Sequence, residues 1–331
     1  MLPSLLPFER LPVTIVVLVC YLAAIISTVI VQEWLPEAPH RARNPGLNLD
    51  EAWKDLKSIA QVAHPFNSHQ NDEVGAYLVK RLKDIKKGKD FVTLDADDST
   101  NAWWYEGASH ITYMESRNIV VRFDGSKWNE SAILFNAHYD TSSLAPGATD
   151  DSVAVVSLLQ IAQYLADHRP ERSIILLFNN GEEDGLHGSR AFMQYSWNGT
   201  ISSFVNVEGA GAGGRPNLFR SSSAQITNAF RSASHPHGSS LFSDAFRLGL
   251  VRSRTDYDVY TRAGIPGVDY AFYQNRQKYH TMDDTVSSLH DQRPLWAMME
   301  NLHDLVQVLA RQSDAGISDD TRFVYFDGIA K

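Results

Sequence analysis

Six residues able to bind metal recur in chain order at or just beyond the ends of apolar runs: His138, Asp150, the adjacent pair Glu182 and Glu183, Glu208 and His280. Two imidazoles and several carboxylates are what a pair of zinc ions needs, and a spare carboxylate beside a ligand can activate a water held between the ions. Glu182, next to Glu183, is placed to be that base. The chemistry is hydrolysis, with peptides the expected substrate class. A lone histidine is more often structural than ligating; joint placement at successive strand ends is what singles out this set. The single cysteine, Cys20, lies in an apolar segment, so it forms no internal disulfide and is not read as a nucleophile. Histidine and carboxylate are therefore left as the zinc ligands.

The elements that must position these residues follow from hydrophobic patterning. Segments 119–123 and 132–137 are short runs rich in Ile, Val and Phe bounded by polar residues, the strand signal. A helix from about 152 to 166 and an apolar strand at 173–178 follow, which together make a βαβ unit with a right-handed crossover. Segments 204–207 and 268–272 read as further central strands, and Leu295, Met299, Leu302, Val306 and Leu309 as the stripe of a closing helix. Upstream, 49–63 and 74–82 have helical spacing, and 323–326 looks like the start of one more element. The expected fold is α/β, a mostly parallel central sheet with helices on both faces. In such sheets ligands bind outside the carboxyl ends of the strands. His138 ends one predicted strand, Glu182 and Glu183 follow another, Glu208 follows a third, and Asp150 opens the helix at 152.

The chain has 331 residues, a hydrophobic content of 44% and a net charge of −9, which describes a globular protein and argues against nucleic acid as a partner. The one basic run, 80–89, is mixed with Asp84 and reads as a solvated helix face. Residues 11–31 carry no charge, and 21 residues at the helical rise span about 30 Å, the thickness of a bilayer core. No clean small-residue cleavage site follows, so an uncleaved signal anchor is expected. The layout is then a tail at 1–10, a transmembrane anchor at 11–31, a linker at 32–48, a catalytic domain at 49–312 and a tail at 313–331. Two sequons, at Asn129 and Asn198, would carry N-glycans if the domain faces a secretory lumen.

The local contexts carry a resemblance. AHYD (137–140), GATDD (147–151), NNGEEDGLHGS (179–189), NVEGAGAGG (206–214) and YHTMDDT (279–285) together resemble the M28 family of zinc metallopeptidases, most closely the fungal vacuolar membrane protease group. The resemblance covers roughly residues 50–310. It implies two zinc ions bridged by Asp150, with His138 and Glu208 completing one and Glu183 and His280 the other. It makes Glu182 the general base and acid, gives Asp140 the task of fixing the tautomer of an imidazole, and lets Tyr279 hydrogen-bond the oxyanion of the tetrahedral intermediate. Glu208 stands where many relatives carry Asp. Ser152 stands where the family generally has Gly, so a loop distorted around Asp150 is expected if that glycine serves a positive φ or close packing. The segment 255–257 resembles one near the family's substrate pocket, with a plain loop carboxylate as the alternative. His64, His69, His235 and His237 are read as loop or core histidines.

The function implied is a membrane-anchored dizinc peptidase acting on peptides or proteins, an aminopeptidase by family habit, at the vacuolar or another endomembrane with its catalytic domain lumenal. Two alternatives stay open: a single-zinc glutaminyl cyclase on the same scaffold, and a receptor-like ectodomain without activity. Full-length relatives are implied to carry further membrane spans, so the chain is expected to be a truncated form. Oligomeric state, side-chain preference and native metal are not legible.

Overall fold

The structure is a computed structural model that describes residues 9–39, 46–96, 101–106, 110–115, 117–127, 131–313 and 323–326. The sequon at Asn129 lies outside the described residues. In chain order the elements are α1 (Arg10–Glu33), α2 (Leu49–Ile59), α3 (His69–Lys86), β1 (Val92–Asp95), β2 (Asn101–Glu106), β3 (His110–Glu115), β4 (Ile119–Phe123), β5 (Ala132–His138) and α4 (Val153–Asp167). They continue with β6 (Ile174–Asn179), α5 (His187–Phe192), β7 (Ile201–Gly209), β8 (Asn217–Ser221), α6 (Ala224–Phe230), α7 (Ser240–Arg247), α8 (Tyr257–Arg262), β9 (Gly267–Phe272) and α9 (Arg293–Leu309).

Seven strands form one twisted sheet in the order β1-β4-β6-β5-β7-β9-β8. Its centre, β6-β5-β7-β9, is parallel; β1, β4 and β8 attach antiparallel at the two edges. The sheet is thus mixed, with its parallel part confined to the middle. β1, β8 and the separate hairpin β2-β3 were not foreseen from sequence, because short or outward-facing strands lack the continuous apolar run that marks a buried one.

Helix α4 is apolar almost all round, and accordingly nearly every residue in it is buried. It lies on one face of the sheet with α2, α3 and α9 around Ile133, Phe135, Leu176 and Val205. The opposite face, through Leu134, Ile175, Leu177 and Phe204, packs on Phe192 of α5 and on Tyr257 and Tyr260 of α8. Alternate residues of β5 thus serve opposite cores, as a strand requires. Helices α2 and α3 begin on side-chain caps, Asn48 accepting from the Glu51 N–H and Ser68 from the Asn71 N–H. α2 ends at Ile59, four residues short of the expected 63, where Ala60 leaves helical geometry ahead of the His64-Pro65 segment. Residues 323–326 form no further strand; Phe326 makes an isolated bridge to Ser239.

Helix α1 is long and apolar enough to cross a membrane, and none of its residues is buried. Its last turn nevertheless touches the body. Arg215 Nη1 donates to the Val31 carbonyl (2.7 Å), Tyr273 Oη to Gln32 Oε1 (2.6 Å) and Gln274 Nε2 to the Gln32 carbonyl (2.8 Å).

Candidate metal centre

All of the expected ligands stand on the carboxyl rim of the parallel strands. His138 is the last residue of β5, Glu208 the penultimate residue of β7, and Glu182 and Glu183 sit in the loop leaving β6. Asp150 lies in the turn before α4, and His280 in the loop after β9. They gather into two groups, His138 with Glu182 and Glu208, and Asp150 with Glu183 and His280, the potential ligand atoms of each group lying within 4.8 Å of one another. Glu182 therefore falls beside His138 and Glu208, and Glu183 in the other group, as two consecutive side chains on a loop can.

Asp150 joins the groups. Its Oδ1 is 3.3 Å from His138 Nε2 and its Oδ2 is 3.1 Å from His280 Nε2. Glu208 Oε1 approaches His138 Nε2 at 3.1 Å, and Glu183 Oε2 approaches His280 Nε2 at 3.0 Å. His138 Nδ1 lies 2.9 Å from the main-chain carbonyl of Asp140, so that nitrogen carries the proton and Nε2 is the one offered to the carboxylates. The carboxylate of Asp140, 3.6 Å from the same Nδ1, accepts instead the backbone N–H groups of Glu182 and Glu183, both at 3.2 Å. One buried side chain thus fixes the loop that supplies an acid to each group.

Further residues build the centre from beneath. Asp284 accepts the N–H groups of Thr149 (3.0 Å) and Asp150 (3.1 Å), which pins the turn that presents Asp150. Asp151 accepts the His138 N–H. Under the rim, Asn206 donates to Glu208 Oε2 and to Asp269, while Asn136 and Asn179 both donate to buried Asp256. None of these has a role in the sequence reading, although Asp151, Asn179, Asn206 and Asp284 lie within its motifs; Asp256, in the segment 255–257, is a fully buried anchor of this amide layer. The signal was present: asparagine within buried apolar strands demands polar partners.

Two backbone features allow the close approach. A Cβ on Gly209 would lie 2.5 Å from the Thr149 carbonyl oxygen and 2.6 Å from Asp150 Cα, so β7 can meet the Asp150 turn only through glycine. His280 adopts left-handed backbone (φ 58°), a conformation that non-glycine residues take rarely and often at functional sites. Ser152, by contrast, has ordinary helical geometry (φ −60°, ψ −31°), so no positive-φ glycine is needed there. Tyr279 stacks on His280 with ring centroids 3.7 Å apart. His64, His69, His235 and His237 belong to neither group; His235 pairs with Glu300, and His64 and His237 are buried.

The electrostatics of the bare site are those of crowded acid. Burial, then the charge of Glu208, pushes Glu182 well above the carboxylate range. Burial lifts Glu208 to about 8, aided by Asp150 and Asp269 and opposed by His138. Burial and the Asp150 charge also raise Glu183, whose buried Oε1 has no hydrogen-bond partner among the described residues. Burial would lower His280, but hydrogen bonds to Asp150 and Glu183 carry it to about 10. Imidazole nitrogens facing carboxylate oxygens at about hydrogen-bond distance, with spare acid around them, fit divalent cations: the hard and borderline donors match zinc, and the cations would neutralise the excess negative charge.

Comparison with known proteins agrees with this architecture. The family model described as Peptidase family M28 matches residues 118–306. The chain is 44% identical over 336 residues to the "Vacuolar membrane protease" of Laccaria bicolor, covering 98% of this chain and 32% of that protein. It is 46% identical over 297 residues to the protein of the same name from Schizophyllum commune, covering 88% and 33%. The chain thus spans about a third of the length of these curated relatives. Among solved structures it is similar to the LapA aminopeptidase of Legionella pneumophila (TM-score 0.62, 16% identity, 81% of this chain and 73% of that one). It is also similar to the glutaminyl cyclase of Porphyromonas gingivalis (TM-score 0.60, 18% identity, 80% and 99%). These last two likenesses concern the fold. The domain model and the relatives together establish that this chain belongs to peptidase family M28.

Proposed function

We propose that the chain is the peptidase part of a membrane-anchored dizinc aminopeptidase of the vacuolar membrane, with α1 as the membrane span and the catalytic domain in the lumen. The observation that carries the two-metal reading is Asp150, which turns one carboxylate oxygen to each imidazole. His138 and Glu208 would hold one zinc, Glu183 and His280 the other, and Asp150 would bridge them. When bound, the ions polarise the scissile carbonyl and lower the pKa of a shared water to near neutral.

The remaining work falls to the chain's own residues. Glu182, buried and inclined to hold a proton, would accept the proton of the water and pass it to the leaving amine. Asp140 holds the Glu182-Glu183 loop by its two backbone N–H groups. Tyr279, whose burial and neighbouring carboxylates keep its phenol protonated, would donate to the developing oxyanion. Asn198, part-exposed, would carry the glycan of its sequon in a lumenal domain.

The test is mass spectrometry of a peptide library incubated with the zinc-loaded full chain, beside Glu182→Gln. Stepwise loss of amino-terminal residues with wild type alone supports the proposal. Internal cuts keep the peptidase and reject the aminopeptidase. Cyclised amino-terminal glutamine with one bound zinc points to the cyclase, and no turnover by folded, zinc-loaded protein points to a receptor-like domain.

A further inference from the structure

The hairpin β2-β3 stands outside the main sheet and has two unlike faces. Its inner face covers the loop that carries Glu182 and Glu183. There the Trp104 ring lies 5.3 Å from His187 with Arg190 over it, and Met114 reaches Gly181. Gln194 bonds the Trp103 main chain through both its amide atoms, which fixes the hairpin against the body. The outer face does the opposite. Trp103 (54% exposed) pairs across the strands with Tyr113 (58%), and Tyr105 (67%) with Ile111 (62%). These four side chains offer roughly 400 Å² of aromatic and aliphatic surface to solvent, at the level where such a patch marks an interaction site.

Its position says what covers it. The hairpin rests on the loop leaving β6. The last turn of α1 is bonded to Arg215, Tyr273 and Gln274, in the loops leaving β7 and β9. Both therefore stand on the carboxyl rim of the parallel strands, separated by the β6-β5-β7-β9 span, three strand spacings or about 14 Å. The helix that enters the bilayer and the aromatic hairpin flank the metal-binding groups on one side of the molecule. Trp and Tyr with one flanking aliphatic residue are the side chains that settle at headgroup depth, where a ring is half apolar and half wet.

We propose that the outer face of β2-β3 lies in the interfacial zone of the membrane that α1 crosses, as a second contact beside the anchor, so that the candidate metal centre opens toward the lipid surface. The proposal rests on the reading of α1 as a membrane span, and the experiment separates the two. The full chain is reconstituted in phosphatidylcholine vesicles containing lipids with a nitroxide either just below the headgroup or at the bilayer centre. A fluorophore is placed on native Cys20, in α1, or, in a Cys20→Ser background, on Tyr105→Cys or Ile111→Cys. Lys127→Cys, in the loop after β4 at the opposite rim, is the control. Expected is quenching of the Cys20 label by the deep nitroxide, and a fall of about half in the Tyr105→Cys and Ile111→Cys signals with the shallow nitroxide, as for a group at headgroup depth. The Lys127→Cys signal stays unchanged. Quenching at Cys20 with none at either hairpin position overturns the hairpin contact and leaves the span. Shielding of the hairpin label from aqueous iodide without lipid quenching also overturns it, since a protein surface then covers the face. No quenching at Cys20 refutes the span and the proposal with it.

Discussion

Asp140→Asn tests how the centre is held. The Asp140 carboxylate is buried and receives the N–H groups of both Glu182 and Glu183. A hydrogen bond to a charged acceptor contributes about 1.5–3 kcal/mol. Asparagine keeps one acceptor and turns an NH₂ toward the other N–H, so one bond is lost and one buried donor left unpaired, together about 2–4 kcal/mol. Because Glu182 sits with His138 and Glu208, and Glu183 with Asp150 and His280, the loosened loop affects both groups. Shared between the two proposed zinc ions, the loss corresponds to a fall of roughly 5–30-fold in affinity for each, reaching into the usual range for residues that support metal ligands. His138 keeps its bond to the Asp140 carbonyl, which the substitution does not touch. A competition titration against a chromophoric chelator reads the two equivalents separately. Weakening of both is expected. If only one equivalent weakens, the carboxylate acts on His138 alone and the loop argument is wrong; if neither does, the two N–H bonds are energetically idle.

Gly209→Ala forces a Cβ into the Thr149 carbonyl and Asp150 Cα, so zinc content by elemental analysis should fall for both ions while the secondary structure persists; full occupancy at wild-type affinity contradicts the close-approach argument. Tyr279→Phe should lower kcat by about 100–1000-fold with little change in KM, and a pure KM effect would assign the ring to substrate binding. In chelated protein, Glu208 is raised from 4.5 to about 8, so its contribution to stability is full below the lower value and lost as pH rises to the upper one. Differential scanning should therefore show Tm of the chelated chain falling between pH 5 and 8, while the increment added by zinc grows, because ligands must be deprotonated to bind. A chelated Tm that rises across this window contradicts the acid-crowding picture.

The candidate residues stand out in the sequence because His138, Glu182, Glu183 and Glu208 lie at or just beyond the ends of apolar runs, while Asp150 and His280 lie in longer loops and stand out by their motif contexts; the topology of the sheet brings all six to one rim. What supports them was not. Asp283 and Asp284 are adjacent and chemically alike, yet the first is exposed and the second holds the Asp150 turn; only three-dimensional packing distinguishes them. Asn136, Asn179 and Asn206 sit inside strands that otherwise read as core, and their layer appears only once β5, β6 and β7 are side by side. The hairpin escaped notice because its large residues face outward, against the pattern by which strands are found. The missing glycine at Ser152 raises the expectation of a positive φ, and the helical backbone there, which serine adopts without strain, removes that part of it.

The contact between Gln32 and the pair Tyr273 and Gln274 joins residues more than 240 positions apart in sequence, and it has a geometric consequence. A tether would let the body swivel; these bonds lock the azimuth of the last helical turn to the loop that leads from β9 to His280. Each residue of an α-helix advances about 100° around its axis. Inserting a single alanine in the middle of α1 therefore leaves its length almost unaltered but turns its upstream half by more than a quarter revolution relative to the body that carries the metal-binding groups. Helical phase, and not only hydrophobic length, is a property that these contacts hold fixed in α1.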